Sequence, residues 1–512
     1  MRRIRALSSQ QPYYSDSSGG CAEQRGNHLT MELYERFEKA IGRELLQHIE
    51  VAADRLGQEV RVVGGTVRDL LLYRHSTDFD FVTQGSGIEL AKALKAEIGR
   101  KAHLSLFKAF GTAQVKVGEL ELEFVGARKE SYRSDSRKPI VEDGTFAEDE
   151  ERRDFTMNTL SITLNGEAKG RLNDPFGGEA DIKWGVIRTP LEPEVTFSDD
   201  PLRMMRAVRF ASQLHFSIDP TNLQAIKRQS QRLLPVVSME RITTEFMKII
   251  ESPQPSIGLR LMEECGLMQQ YLPEVSALKG AETKEGIGHK NNFDHTLQVV
   301  DNAARVSSDP FLRLAALFHD IGKPRTKQFT PRVGWSFHNH DFVGSKMLPK
   351  IFRRVKLPLD ERMHYVQKLV RLHMRPAQLA DEGVTDSAIR RLLFEAGDDI
   401  DDLMTLCESD LTSKNPKKVQ KYLDNFRVVR GKLVEIEEKD RIRNFQPPIM
   451  GDEIMYIFGI TPCRAVGELK EAIKDAILDG VIANERTVAL AYMYRHAAEH
   501  FPELKVVHQV EE

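Results

Sequence analysis

Two carboxylates two residues apart, preceded by a glycine pair and an arginine, are the densest chemistry in this chain. Between Val60 and Val82 it reads VRVVGGTVRDLLLYRHSTDFDFV. Residues of strand character lead to Gly64 and Gly65, and a short helical run covers Thr66 to Tyr73. Ser76 and Thr77 make a turn, and a second strand covers Asp78 to Val82. A strand has a period of two, so Asp78 and Asp80 face one way while Phe79 and Phe81 face the other. Adjacent carboxylates repel each other. A divalent cation between them relieves the repulsion, and Mg²⁺ favours such oxygen ligands. The glycine turn lets backbone N–H groups approach an anion, with Arg68 in the helix beyond. A phosphate cradle beside paired acids is the equipment of metal-assisted phosphoryl or nucleotidyl transfer. A lone DxD or a lone GG is more often a turn or a solvated edge; the order strand, glycine turn, helix, strand sets this combination apart.

The segment GGTVRDLLL…TDFDFV resembles the signature of class II tRNA nucleotidyltransferases, the CCA-adding enzymes, and of the related bacterial poly(A) polymerases. That family has a polymerase-β-like head. Further motifs fit it. Glu123, followed five residues later by Arg128, matches the family's acid–arginine pair and is a candidate third carboxylate; Glu121, on the same strand face, reads as a solvated hairpin position. ERRDFTMNTLSI, Glu151 to Ile162, contains the family's RRDxTxN motif. Arg153 can grip a triphosphate, Asp154 can accept hydrogen bonds from a ribose hydroxyl, and Asn158 braces them. In SDDPLRMMRAVRFASQL, Asp199 or Asp200 caps a helix with Pro201 in its first turn. Arg203, Arg206 and Arg209 recur every third residue and need anions or acids as partners. The resemblance assigns Asp200 and Arg203 to the base edge of CTP or ATP, and Arg206 and Arg209 to further nucleotide contacts. Asp199 departs from the Glu often found there. Ser238 to Glu245 fits the family's neck, with Glu245 in a structural role.

Beyond about residue 276 histidines become frequent, in the order DHT, FHDIGKP, FHNHDFVG, RLHM and SDL. This resembles the HD superfamily of metal-dependent phosphohydrolases. His295, His319, Asp320 and Asp410 match its one-metal set, and His340 and His373 extend it to two metals. Mixed imidazole and carboxylate ligands suit a divalent transition metal or Mg²⁺, and Lys323 is placed to bind phosphate.

These residues need elements to hold them. Apolar spacing predicts one amphipathic helix from Glu32 to Leu56, another from Ile88 to Ile98, and a hairpin of Ala113–Val117 with Leu120–Val125 around Gly118 and Glu119. Ser131 to Asp149 reads as a long polar loop. By the resemblance it is the length kept by members that build the whole CCA triplet. Asn173 to Gly178 closes the head's sheet, Gly258 to Leu272 is a further helix, and residues from Asp424 to His508 are largely helical, with a break at Pro447 and Pro448. Basic runs at Leu348–Lys356 and at Lys414, Lys417, Lys418 and Lys421 read either as solvated faces or as RNA contacts.

With 512 residues the chain should hold several domains. Its net charge of −3 excludes a polycation, so nucleic acid would need a local basic patch. Four scattered cysteines without a CxxC pair fit a reducing cytoplasm rather than a disulfide frame or zinc ribbon, and no apolar run is long enough for a membrane span. Residues 1–30 are polar and read as a disordered tail, with a transit peptide as the second reading and Met31 as a possible start.

The expected architecture is α+β: a polymerase-β-like head with a mixed sheet plus helices (31–190), an all-α neck (191–275), an HD domain (276–415) and a helical tail (416–512) placed to grip tRNA. The resemblance implies attack of a tRNA 3′-hydroxyl on the α-phosphorus of CTP or ATP without a nucleic-acid template. Asp78 and Asp80 would hold two Mg²⁺ ions, and Gly65, Arg68 and Arg153 the triphosphate and sugar. Poly(A), A-only or CC-only addition remain alternatives, as do an HD phosphohydrolase with an inactive sensing head and a non-catalytic RNA-binding protein.

Overall fold

The computed structural model describes residues 31–133, 136–280, 283–284, 287–288, 291–382, 385–413, 415–440 and 446–510. The tail expected over 1–30 lies outside them. The chain divides into two compact units, Met1–Arg203 with Phe216–Gln229, and Met204–His215 with Ser230–Glu512.

The first unit is built on a seven-stranded mixed sheet. Its strands in chain order are β1 (Val60–Val63), β2 (Asp78–Thr83), β3 (Ala102–Phe107), β4 (Thr112–Val117), β5 (Leu120–Gly126), then β8 (Ser161–Thr163) and β9 (Leu172–Asn173). The hairpin β6 (Arg128–Arg133) and β7 (Ser136–Asp143) lies between these and forms its own small sheet. The spatial order is β3-β4-β5-β2-β1-β8-β9, and the pairing of β2 with β5 is parallel. One face is apolar: Val60, Val62, Phe79, Phe81, Leu122 and Phe124 are all buried. Phe81 stacks on Phe124 at 4.8 Å, and Phe37 meets Phe79 and Phe81 edge-on. Period-two alternation therefore leaves the acidic residues of β2 and β5 on the other face.

The structure corrects the sequence-based expectations at four places. The helix predicted over Glu32–Leu56 is two, 31–41 and Arg43–Leu56, because Gly42 takes φ 89°, a conformation outside the helix. The polar loop expected over Ser131–Asp149 is mostly regular: β6 and β7 pair, and helix α1 (Phe146–Glu151) starts on a capping box between Thr145 and Glu148. β3, absent from the sequence reading, forms the sheet's edge. The helix expected over Gly258–Leu272 is also divided, into Pro255–Glu264 and Leu267–Tyr271, with Gly266 at φ 79° between them.

The second unit is helical. Asn292–Val306, Pro310–Phe318, His340–Arg354, Glu361–Leu372 and Ile400–Ser409 pack around Phe318, Phe352, Leu369 and Leu403, and Pro416–Asp440, Gly451–Phe458, Arg464–Leu478 and Arg486–His500 follow. No helix among the described residues is long and apolar enough to cross a membrane.

Gly322 sits where two segments nearly touch. A Cβ there would lie 2.1 Å from the His340 carbonyl oxygen and 2.7 Å from the Gly344 nitrogen, both backbone atoms that cannot swing aside. Gly322→Ala should therefore lower unfolding stability by about 3 kcal/mol, read as a fall in Tm.

Candidate active sites

In the first unit, β2 and β5 run parallel in register, so Asp78 stands beside Glu121 and Asp80 beside Glu123. The four carboxylates share one sheet face, but their surroundings differ. Glu121 is engaged by Lys116 at 3.2 Å and Gln114 at 3.1 Å. Glu123 has no such hydrogen-bonded partner among the described residues: desolvation and the charge of Asp80 raise its pKa, with Arg128 pulling the other way. Asp80 is raised for the same physical reasons, desolvation first and then Asp78, against the pull of Arg153 and Arg68. Carboxylates held in mutual repulsion at the mouth of a cleft are a donor set that a hard divalent cation would relieve. A cavity of about 330 Å³ opens here, lined by Asp80, Glu123, Arg128, Arg152 and Arg153.

The glycine turn and the RRD segment converge on this cleft. Gly64 has φ 70°, and a Cβ on it would come within 3.0 Å of the Arg153 guanidinium. Asn158 is the joint between the two motifs. Its Oδ1 accepts from Arg68 at 2.9 Å, its carbonyl accepts from Arg153 at 3.3 Å, and its Nδ2 donates to Asp154 at 2.9 Å. Asp154 is buried and also accepts from the Phe155 amide. Thr66 donates to the Asp78 carbonyl and accepts from the Asp80 amide, fixing the helix Gly65–Leu71 against β2.

One residue of this site escaped the sequence reading. Asp149, nearly fully buried, takes Arg152 on Oδ1 and Arg153 on Oδ2. Its spacing of four from Arg153 on a helical turn was the available signal. Burial alone would raise its pKa, but the two guanidinium groups outweigh burial and hold it below the ordinary carboxylate range.

Asp200 accepts from the Leu202 amide at the start of the helix Leu202–Leu214, and buried Arg203 donates to the carbonyls of Thr196 and Arg152. The link to Arg152 ties Arg203 to the cleft. Arg206 and Arg209 belong to the second unit, where Glu245 meets both, Arg209 at 3.1 Å and Arg206 at 3.9 Å. The acid required by this arginine row is thus supplied in part by the protein.

Also in the second unit, the six expected metal ligands come together as two groups, His295, His319 and Asp410, and Asp320, His340 and His373. Asp320 lies between them: its Oδ2 is 3.3 Å from His319 and 3.6 Å from His295, and its Oδ1 is 3.3 Å from His340. The rings are held by their far nitrogens. Nδ1 of His319, His340 and His373 each bonds the carbonyl three residues earlier, of Ala316, Phe337 and Val370. A carbonyl can only accept, so each Nδ1 carries a proton and each Nε2 is left to hold a second proton or a metal. Nε2 of His340 and His373 face each other at 3.3 Å, and Nε2 of His319 is buried without a hydrogen bond. Two opposed ring nitrogens and an orphaned third among carboxylates fit a divalent metal. His319, His373 and Asp410 each follow the last residue of a helix. Burial disfavours the His319 cation, but Asp320 and Asp410 overcome this and push its pKa up to about 10, while burial and His319 take His373 down to about 4. Lys323 donates to Asp320 at 2.6 Å.

Two outcomes follow. Asp149→Asn should cost about 3 kcal/mol, the lower end for breaking a buried ion pair, because both arginines remain partly solvated. The folded pKa of Asp149 lies below its unfolded value of about 3.9, so its contribution is complete above that value and drains away as pH falls through the folded one. Urea unfolding of the Asn variant should lack that acid-side loss. In the second unit, adding Mn²⁺ or Ni²⁺ to chelator-treated protein at a hundredfold excess over Kd should stabilise it by about 2.7 kcal/mol, and His319→Ala should remove that gain in a calorimetric scan.

Residues 60–188 match the family model of the poly A polymerase head domain, 215–279 that of the probable RNA and SrmB-binding site of polymerase A, and 292–410 the HD domain. The chain is 32% identical over 448 residues to the A-adding tRNA nucleotidyltransferase of Deinococcus radiodurans, spanning 86% of this chain and 95% of that one. It is 31% identical over 444 residues to the CC-adding tRNA nucleotidyltransferase of Thermus thermophilus, spanning 84% and 92%. Its fold is that of a solved CCA-adding enzyme in complex with ATP, with a TM-score of 0.60 at 21% identity over 91% of this chain and 97% of that one. With the head motifs gathered on one cleft and the likeness running nearly end to end, the chain belongs to the tRNA nucleotidyltransferases.

Proposed function

We propose that this enzyme completes the CCA end of tRNA from CTP and ATP. The observation that carries the reading is the row of β2 and β5 carboxylates facing a cleft walled by arginines. The RNA 3′-oxygen attacks the α-phosphorus, a new phosphodiester bond forms, the bond to the β-phosphate bridge breaks, and pyrophosphate leaves. Asp78 and Asp80, with Glu123 beside them, would hold divalent ions, Mg²⁺ by the hardness of the donors. When bound, these supply charge neutralisation at the attacking and leaving oxygens. Arg153 and Arg68, fixed through Asn158, and the backbone at Gly65 steady the triphosphate, while Asp154 orients the ribose. Asp200 and Arg203 present donors and acceptors to the base edge, and Arg206 and Arg209 complete the nucleotide contacts. In this reading residues 31–190 catalyse and 191–275 read the base. The helical segment 416–512 holds the tRNA body, and the work is done in the cytoplasm, where buried Cys265 and Cys407 stay reduced.

The choice of the whole triplet rests on the segment between β5 and the RRD motif, kept at full length and folded as the hairpin β6–β7. The two named relatives are an A-adding and a CC-adding enzyme, so the discriminating experiment offers tRNA lacking its CCA end with CTP, ATP or both. The expected result is CC with CTP alone and CCA with both; a product of repeated A, or addition restricted to one nucleotide, would replace this reading.

The convergence of six ligands in residues 295–410 supports a second activity, hydrolysis of a phosphate ester. Those residues would hold a divalent transition metal or Mg²⁺, whose chemistry is Lewis-acid activation of water, and Lys323 would meet the phosphate. Asp80→Ala should reduce nucleotide addition by about 10³-fold yet leave hydrolysis of a 2′,3′-cyclic phosphate intact, with His319→Ala doing the reverse.

A further inference from the structure

A second cleft lies beside the catalytic one in the first unit. It has a volume of about 550 Å³ and is lined by Ser86, Phe110, Arg128, Val141, Glu142 and Asp143, among others. Arg128 lines both cavities. We propose that this second cleft seats the nucleotide that precedes the 3′ end of the RNA, with its base against Phe110 and its phosphate against Arg128. The proposal rests on the reading of the reaction given above.

Phe110 is 70% exposed, an unusual position for a phenyl ring on a short turn between paired strands. The turn is nonetheless fixed. Thr112 donates to the Phe110 carbonyl at 3.3 Å and accepts from Arg128 at 3.3 Å, so one hydroxyl sets the aromatic residue and the guanidinium together. Strand register gives the distance to the chemistry. Thr112 pairs with Val125, and Glu123, two residues back on β5, pairs with Asp80. Thr112 is thus about 8 Å from Glu123 by strand spacing and rise, the reach of one nucleotide. Phe107, 47% exposed on the edge strand, pairs with Thr112 and continues this face.

Charge decides what the cleft takes. Glu142 and Asp143 on its wall oppose a triphosphate. A single phosphodiester brings only one negative charge, which Arg128 can balance, while its neutral base lies on an aromatic face. Base–aromatic stacking is also tolerant of sequence, as an enzyme that meets a changing 3′ end requires.

The test uses the full-length enzyme and tRNA lacking only the terminal A. Phe110→Ala should raise KM for the RNA roughly tenfold while kcat and KM for ATP stay within about twofold, the signature of lost uniform binding to one substrate. Phe110→Trp should restore the RNA KM. In parallel, RNA carrying 5-iodouridine one nucleotide before its 3′ end should photocrosslink to Phe110. An RNA KM unchanged in Phe110→Ala, a rise in the KM for ATP instead, or a crosslink mapping elsewhere would overturn the proposal. Wild-type protein that adds no nucleotide would sink the reading of the reaction, and the crosslink would still decide this contact.

Discussion

The parallel pairing of β2 with β5 is the constraint on which the first unit depends. In register, it sets Asp80 beside Glu123 and Asp78 beside Glu121, and leaves no choice about which face carries charge. Phe79, Phe81, Leu122 and Phe124 take the opposite side and bury completely or nearly so. A slip of one residue would turn the acids inward and the rings outward. The hydrophobic core and the reactive face are therefore one decision, enforced by apolar burial. The arginines opposite, themselves held by buried Asp149, offset only part of the electrostatic cost of the gathered acids. Repulsion among the outer acids is left unrelieved where a cation is needed and relieved where rigidity is needed.

The helical unit solves a similar problem by different means. Its imidazoles are aimed by backbone carbonyls one turn earlier, so their orientation is built into the helices that carry them. Gly322 permits the close approach of the segment bearing Asp320 to the one bearing His340. Only a residue without a side chain allows the shared carboxylate to reach both groups of ligands.

Much of this was legible in the amino-acid order, for identifiable reasons. Period-two alternation in DFDFV revealed the carboxylate face, and the order of histidines and aspartates picked out the six side chains that gather in the second unit. Helix type and strand type were clear where the apolar spacing was long. The breaks at Gly42 and Gly266 were not, because a single glycine in a periodic stretch is compatible with either a continuous or a broken helix. The hairpin after β5 was missed because its residues are mostly polar, with no period-two apolar pattern, and it forms a small sheet of its own. Asp149 was hidden for a related reason: within AEDEERRD every charge looks solvated until folding selects one to bury. The division of the arginine row, with Glu245 engaging Arg206 and Arg209, depends on a helix some forty residues away in sequence.

Three of the six candidate ligands of the second unit, His319, His373 and Asp410, stand immediately after the ends of their helices. Peptide dipoles in each helix point their negative ends toward that spot. The backbone therefore creates an electronegative basin before any side-chain charge is counted. Positive charge placed in such a basin is favoured by the peptide units themselves, so the direction in which these helices run already suits the site to a cation.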